Sequence, residues 1–433
     1  MQNAVNIIGA GFAGCESAWA VASRGIPVRL FEMKPLKFSP AHKDRNFCEP
    51  VCSNSFKASR VNSAAGLLKA EMRMLGSLTL ECAEITSVGA GGALAVDRVK
   101  FAEAVTAKVK SHPLIEIITG EVTEIPDGIT IIATGPLTTD TFAEKIAEKT
   151  GGLLSFYDAA APIVSAESID LNTAFFGARY GKGDDDYLNC PFSKEEYDIF
   201  YNALINAETA LLHDIDKPLK VYEGCMPIEV LAKRGYDSPR FGPMKPVGFT
   251  DKNGKRPYAL VQLRKENNEG RFYNIVGFQT NLKFAEQKRV FSLIPGLLNA
   301  DFIRYGVMHR NSFVNSPLLL NKNNSLKTAP NIFLAGQITG FEGYMESAAS
   351  GIIAGINAAA KFSEKPPLIL PETTMIGALT KYITDESVKD FQPMGANMGI
   401  LPPLDERIKD KALKYSKLAE ISLEELEKEI NNY

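Results

Sequence analysis

The chain has 433 residues, 45% hydrophobic and 23% charged, which excludes a disordered or fibrous protein and suits two domains sharing one or two large cores. Its net charge of −3, from 48 Lys and Arg against 51 Asp and Glu, gives no global excess toward a polyanion. No run approaches the roughly 18 apolar residues of a membrane span, and six scattered cysteines exclude a disulfide framework, while Cys48 and Cys52 lack the second Cys or His pair that a structural zinc needs.

Val5 to Ile8 is a short apolar run expected as a strand, starting so near Met1 that no signal peptide is expected and a cytoplasmic protein is. Gly9-Ala10-Gly11-Phe12-Ala13-Gly14 follows, then a helical stretch from about Ala13 to Ser23 closed by Gly25, then a second strand from Pro27 to Phe31. These make a βαβ unit. Asp97 is the expected N-cap of a helix reaching about Lys110, and Ile115 to Ile118 and Ile129 to Ala133 read as strands. From about Phe156 to Asn323, Gly, Pro and aromatics rise and helical periodicity becomes intermittent, which predicts a second domain inserted into the first. Beyond it, Asn331 to Ala335 reads as a strand, Glu346 to Ala360 as a helix of small residues, and the tail from Asp405 as a charged amphipathic helix.

The Gly9 to Gly14 segment fits G-x-G-x-x-G, and its place between a strand and a helix strengthens the match. Glu32 ends the next strand, where a carboxylate accepts hydrogen bonds from an adenosine ribose. Such glycines let backbone N–H groups and a helix N-terminus approach a pyrophosphate, with Ala10, Phe12 and Ala13 on the same turn. NAD and FAD share this fingerprint, and two later segments favour FAD. Ile131-Ile132-Ala133-Thr134-Gly135-Pro136 and Asn331-Ile332-Phe333-Leu334-Ala335-Gly336 resemble the strand-ending motifs of two-domain flavoproteins, the second continuing through Gly340, Gly343 and Glu346 to Gly351. In that class the late motif sets a helix N-terminus by the flavin's ribityl and pyrimidine end. The expected fold is therefore α/β, a Rossmann-like FAD-binding domain of residues 1–155 and 324–433 around an inserted α+β domain of residues 156–323 that faces substrate and RNA.

Cys52, in Val51-Cys52-Ser53-Asn54-Ser55, and Cys225, in Glu223-Gly224-Cys225-Met226-Pro227-Ile228-Glu229, lie outside amphipathic helices. By residue type alone, such a cysteine is more often a small buried hydrophobe than a nucleophile. Both segments match one family that the chain resembles almost end to end, the folate- and FAD-dependent tRNA (uracil-5-)-methyltransferases. Further matches include Gly91-Gly92-Ala93-Leu94-Ala95-Val96-Asp97-Arg98, Tyr187-Leu188-Asn189-Cys190-Pro191, Phe241-Gly242-Pro243-Met244-Lys245-Pro246-Val247-Gly248 and Tyr305-Gly306-Val307-Met308-His309-Arg310-Asn311. The resemblance implies transfer of a methylene group from methylenetetrahydrofolate, through reduced FAD, to C5 of uridine 54 in the tRNA T loop, with NAD(P)H as the source of electrons. It also implies that Cys225 attacks the base and that Cys52 assists. The family pattern has Ser where this chain has Cys15, and Ala and Leu near Cys48 and Pro50.

That chemistry has a use for each part. Uracil C5 is a poor nucleophile until a thiolate adds at C6 and pushes charge onto C5. Methylenetetrahydrofolate delivers carbon at the formaldehyde level, so a methyl product needs two more electrons, which a reduced flavin supplies. A base must then take the C5 proton, with Cys52 the candidate and His309 and Glu229 the alternatives. The target base must leave its stack to be reached. Residues 231–290 carry thirteen Lys and Arg against five acids, interleaved with Phe241, Phe249, Tyr258, Phe272, Tyr273, Phe278 and Phe284, and are expected to track phosphates and stack bases. A basic solvated face over an aromatic core is the alternative for this stretch. For the whole chain, the alternatives are a paralogue methylating 23S ribosomal RNA and a small-molecule flavin oxidoreductase. The related flavin and folate family that modifies wobble uridines carries a helical C-terminal extension not expected here, and no obligate protein partner is inferred.

Overall fold

The computed structural model describes residues 4–181, 186–210, 226–251, 254–389 and 391–433. Five parallel strands form one sheet, in the order Ile332–Leu334, Thr130–Ile132, Val5–Ile8, Val28–Glu32 and Ile115–Thr119. Every residue of Val5–Ile8 is buried, as befits a central strand covered on both faces. Helix Phe12–Ala22 makes the crossover to Val28–Glu32.

The expected helix of small residues spans Tyr344–Phe362 and packs on Phe12–Ala22. Its composition has a steric reason. A Cβ at Gly351 would lie 2.2 Å from the carbonyl oxygen of Ala13, and Ser17 Oγ donates to the Gly351 carbonyl at 2.9 Å. Asp97 caps helix Arg98–Ser111 by accepting from the Lys100 N–H. The C-terminal helix is Lys411–Asn432, capped by Asp410 rather than starting at Asp405. The helices Ala64–Met74 and Met375–Thr384, which periodicity alone did not single out, are tied together and to the C-terminal helix by Glu71. Its buried carboxylate accepts the N–H groups of Met375 and Ile376 and the hydroxyl of Ser422.

A second, antiparallel sheet has six strands in the order Phe175–Phe176, Tyr187–Phe192, Ala259–Lys265, Phe272–Ile275, Ile163–Ser165 and Phe302–Arg304. Helices Lys194–Ile205 and Phe284–Phe291 accompany it, and its own core includes Phe192, Tyr197, Phe200, Phe278 and Phe291. A ribbon of Leu154–Ala159 with Met308–Phe313 runs between the two sheets' connections. A small sheet of Ser55–Ala58, Ala93–Val96 and Ser87–Val88 follows the Cys52 loop. Among the described residues no helix is long and apolar enough to cross a membrane, and no group of three or more His, Cys, Asp or Glu could hold a metal ion.

Candidate active site

The first strand ends in the glycine turn at the mouth of a cavity of about 450 Å³. Gly9, Ala10, Gly11, Phe12, Ala13, Glu32, Thr134, Gly135, Gly336, Glu346 and Cys52 all line it, so residues from both ends of the chain meet there. The glycines differ in what they do. A Cβ at Gly14 would lie 1.7 Å from the Gly9 carbonyl oxygen, so this residue seats the helix against the turn and does not itself line the cavity. A Cβ at Gly11 would meet no protein atom within 4 Å and would project into open space. Gly340 also lies off the wall; a Cβ there would lie 2.4 Å from the Phe391 ring.

Glu32 is buried and accepts the Ala10 N–H at 2.7 Å through one oxygen and the Lys34 N–H at 2.9 Å through the other. Each oxygen keeps acceptor capacity for a ligand hydroxyl. Across the cavity, helix Tyr344–Phe362 begins at Gly343 with no side-chain cap, leaving first-turn N–H groups and the positive end of the helix toward the space that Gly343, Met345 and Ser347 line. The Glu346 carboxylate is turned to Lys57 Nζ at 2.7 Å and the Ala396 N–H at 3.1 Å, so it braces the wall.

At the same helix end, Tyr344 Oη accepts the backbone N–H of Cys52 at 2.8 Å and that of Ser53 at 3.4 Å, and lies 3.0 Å from Cys52 Sγ. With both lone pairs of the phenol oxygen occupied, its own proton is free to point at the sulfur. Burial, with the adjacent Cys52, holds the Tyr344 phenol well above its usual range, so it remains a donor. The loop is clamped from outside. Half-buried Arg98 pairs with Glu266 through two nitrogens and donates to the carbonyls of Pro50 and Val51. Arg264 donates to Asn54 Oδ1 and Ser53 Oγ, both at 2.9 Å. Sequence reasoning did not single out Tyr344, Arg98 or Arg264. Tyr344 does sit between two flagged positions, Gly343 and Glu346, and Arg98 ends a quoted motif.

Three of the other described thiols, Cys48, Cys82 and Cys190, are poor nucleophiles. Cys48 is buried at φ 51°, and burial together with neighbouring Cys15 raises its pKa well above the usual range. Burial pushes Cys82 and Cys190 up to about 12. Cys52 is half-buried and faces the cavity.

Cys225 lies outside the described residues. On either side of it, Ala210 N–H donates to the Asn281 carbonyl and Ile228 N–H to the Gln279 carbonyl, each at 2.8 Å, and Gln279 lines the cavity. Glu229 is committed to structure, accepting the Thr280 hydroxyl and the Asn281 N–H at 2.8 Å in a buried setting away from the cavity wall. His309 lies on the ribbon strand Met308–Phe313.

The basic stretch divides in two. Phe249, Tyr273 and Phe278 are buried and belong to the core, whereas Phe241 and Phe284 are 81% and 55% exposed. Lys245, Lys255 and Arg256 are exposed, Lys252 lies outside the described residues, and Arg264 is buried at the Cys52 loop.

The family model described as glucose inhibited division protein A matches residues 4–366. A protein from Acetivibrio thermocellus named methylenetetrahydrofolate–tRNA-(uracil-5-)-methyltransferase TrmFO is 56% identical over 436 residues, covering all of both chains. One of the same name from Halalkalibacterium halodurans is 54% identical over 98% of each chain. Among solved structures, Aquifex aeolicus GidA in its form II crystal is similar at a TM-score of 0.70 and 18% identity, over 99% of this chain and 75% of that one, a likeness of fold.

Proposed function

The chain belongs to the glucose inhibited division protein A family, among its methylenetetrahydrofolate–tRNA-(uracil-5-)-methyltransferases, and from that premise we propose that it forms 5-methyluridine at position 54 of the tRNA T loop. It works in the cytoplasm with methylenetetrahydrofolate as one-carbon donor, FAD as cofactor and NAD(P)H as reductant. The antiparallel part, with the basic stretch of residues 231–290, faces the RNA. The observation that carries this reading is that one cavity joins the glycine turn, Glu32 and an uncapped helix N-terminus to a thiol held by a phenol.

The residues fit FAD. The open side of Gly11 leaves space for a pyrophosphate, Glu32 has acceptors for ribose hydroxyls, and the Tyr344 helix end offers N–H groups to the flavin's pyrimidine edge. Bound there, FAD supplies the two electrons that turn methylene into methyl. The protein's own residues handle the base. The Cys225 thiolate forms a bond to C6, and the ring's π pair moves toward C5 and O4. Once carbon is attached at C5, Cys52 takes the C5 proton, the ring pair re-forms the double bond, and the Cys225 sulfur leaves. Tyr344 steadies the Cys52 thiolate with its hydrogen bond, and the Arg98 and Arg264 clamps fix the loop that presents it. The anchoring of Ala210 and Ile228 on residues 279–281, beside the cavity, supports the role of Cys225.

RNA carrying 5-fluorouridine at the target tests the division of labour, because fluorine cannot leave as a proton does. Cys225→Ala loses both the trapped protein–RNA complex and methylation, Cys52→Ala loses methylation but retains first addition, and Cys48→Ala leaves activity nearly intact. Trapping by Cys225→Ala but not by Cys52→Ala would exchange the two roles. Label appearing in ribosomal RNA rather than tRNA would move the substrate.

A further inference from the structure

Outside the cavity, three aromatic rings form a ladder. Tyr305 lies 5.5 Å from Phe302 with planes 6° apart, and 4.9 Å from Phe284 with planes 17° apart. The ladder connects the edge strand Phe302–Arg304 to the first turn of helix Phe284–Phe291. Phe302 and the middle rung Tyr305 are half-buried, but Phe284, at the other end, is 55% exposed, and beside it a second cavity of about 370 Å³ is lined by Leu282, Gly306 and Val307. A stack that ends on an open ring face next to a recess is shaped to be extended by another flat ring.

The charges nearby favour a ring that carries anions. Lys283, the N-cap residue of the Phe284–Phe291 helix, and Arg289 on it are already paired, with Glu208 and Glu286. Lys288, four residues after Phe284 and thus on the same face, is exposed with no ion pair to a described residue. Arg304 follows Phe302 on the edge strand across a bulge, Phe302 pairing with Val164 and Arg304 with Ile163. Its side chain is half-buried, has no hydrogen bond or ion pair to a described residue, and lies near enough to Arg98, Tyr344, Glu49 and Cys52 to feel their charges. A partly desolvated guanidinium beside a second arginine, with Glu49 near but not paired to it, can still take an anionic ligand.

We propose that this ladder is a subsite for a nucleotide flanking the target uridine, its base continuing the stack on Phe284 and its backbone phosphates meeting Lys288 and Arg304. The inference rests on the tRNA reading above and extends it to a second contact. Any base has a π face to offer, so the subsite holds the strand without reading its sequence. The strand that carries its Phe302 rung also carries Arg304, which is near Cys52, and the subsite helps keep the RNA strand open while the target is turned out.

A T-arm hairpin with 2-aminopurine at each position flanking the target tests this, in the FAD-bound enzyme without folate so that a folate ring cannot compete. One flanking position should lose fluorescence on binding wild type and Phe284→Trp but not Phe284→Leu, whose affinity should fall roughly tenfold, as for one lost stack. Lys288→Gln and Arg304→Gln should each flatten the slope of log Kd against log salt by about 0.7. Unaltered affinity and quenching in Phe284→Leu would overturn the inference and leave the tRNA reading standing. So would an effect confined to the folate KM or to the oligomeric state. Wild type that neither binds nor methylates the hairpin would overturn the tRNA reading and the inference with it.

Discussion

The phenol oxygen of Tyr344 lies 3.0 Å from the sulfur of Cys52 and 2.8 Å from the same residue's backbone nitrogen, so one side chain at a helix N-terminus holds the thiol residue at two points. A thiolate that accepts a hydrogen bond from a phenol and lies near a helix N-terminus is stabilised over the thiol. Tyr344→Phe removes that donor while keeping the ring that stacks on Phe12 with centroids 4.8 Å apart. Methylation should fall by about 10²-fold or more with FAD content retained. The rate of Cys52 alkylation, followed peptide by peptide, should rise only at a higher pH than in wild type. An unshifted alkylation profile would show that the phenol does not govern the thiol.

Two glycines of one turn should fail in different ways. Gly11→Val places its side chain in open space, so the protein should fold and melt as wild type stripped of FAD does, yet take up no FAD. Gly14→Ala drives a Cβ to within 1.7 Å of the Gly9 carbonyl unless backbone shifts, so it should lower the melting temperature first and lose FAD as a consequence. Absorbance at the flavin band and thermal melting of the two variants separate these cases.

Charge reversal is not needed to probe the basic stretch. Lys245, Lys255 and Arg256 are exposed, and replacing all three by Gln should weaken tRNA binding and flatten its salt dependence while leaving the flavin in place. Equal affinity and slope across a salt titration would mark them as a solvated face over the aromatic core that Phe249, Tyr273 and Phe278 help to form.

Glu71 should make stability depend on pH. Burial raises its pKa from 4.5 to about 7, against the opposing effect of its three hydrogen bonds. A carboxyl whose folded pKa lies above its unfolded one binds more protons when folded. Its contribution is therefore complete below about 4.5 and is lost as pH rises through about 7, by at most about 3 kcal/mol. Denaturant unfolding of wild type between pH 5 and pH 8 should show this decline. Glu71→Gln should be less stable at low pH, because the NH2 group that replaces one carboxyl oxygen cannot accept a hydrogen bond, but should lose the slope. Parallel slopes in the two proteins would refute the assignment.

What the sequence by itself determined was local. A run of four apolar residues, glycines at fixed spacing, an acid at the end of the next strand and Asp97 before a helix each act through neighbours a few residues away, so the βαβ unit and the helix of small residues were legible with their ends a residue or two off. The motif that named Cys52 was equally readable, but its partner was not. Tyr344 is 292 residues distant, and only the return of strand Ile332–Leu334 to the first sheet brings the following helix against the thiol loop. Aromatic residues of the basic stretch looked alike in sequence, and packing alone sent Phe278 into the core and left Phe284 at the end of a ladder. Burial is decided by which surfaces the whole chain folds together, and composition over a short window carries no record of it.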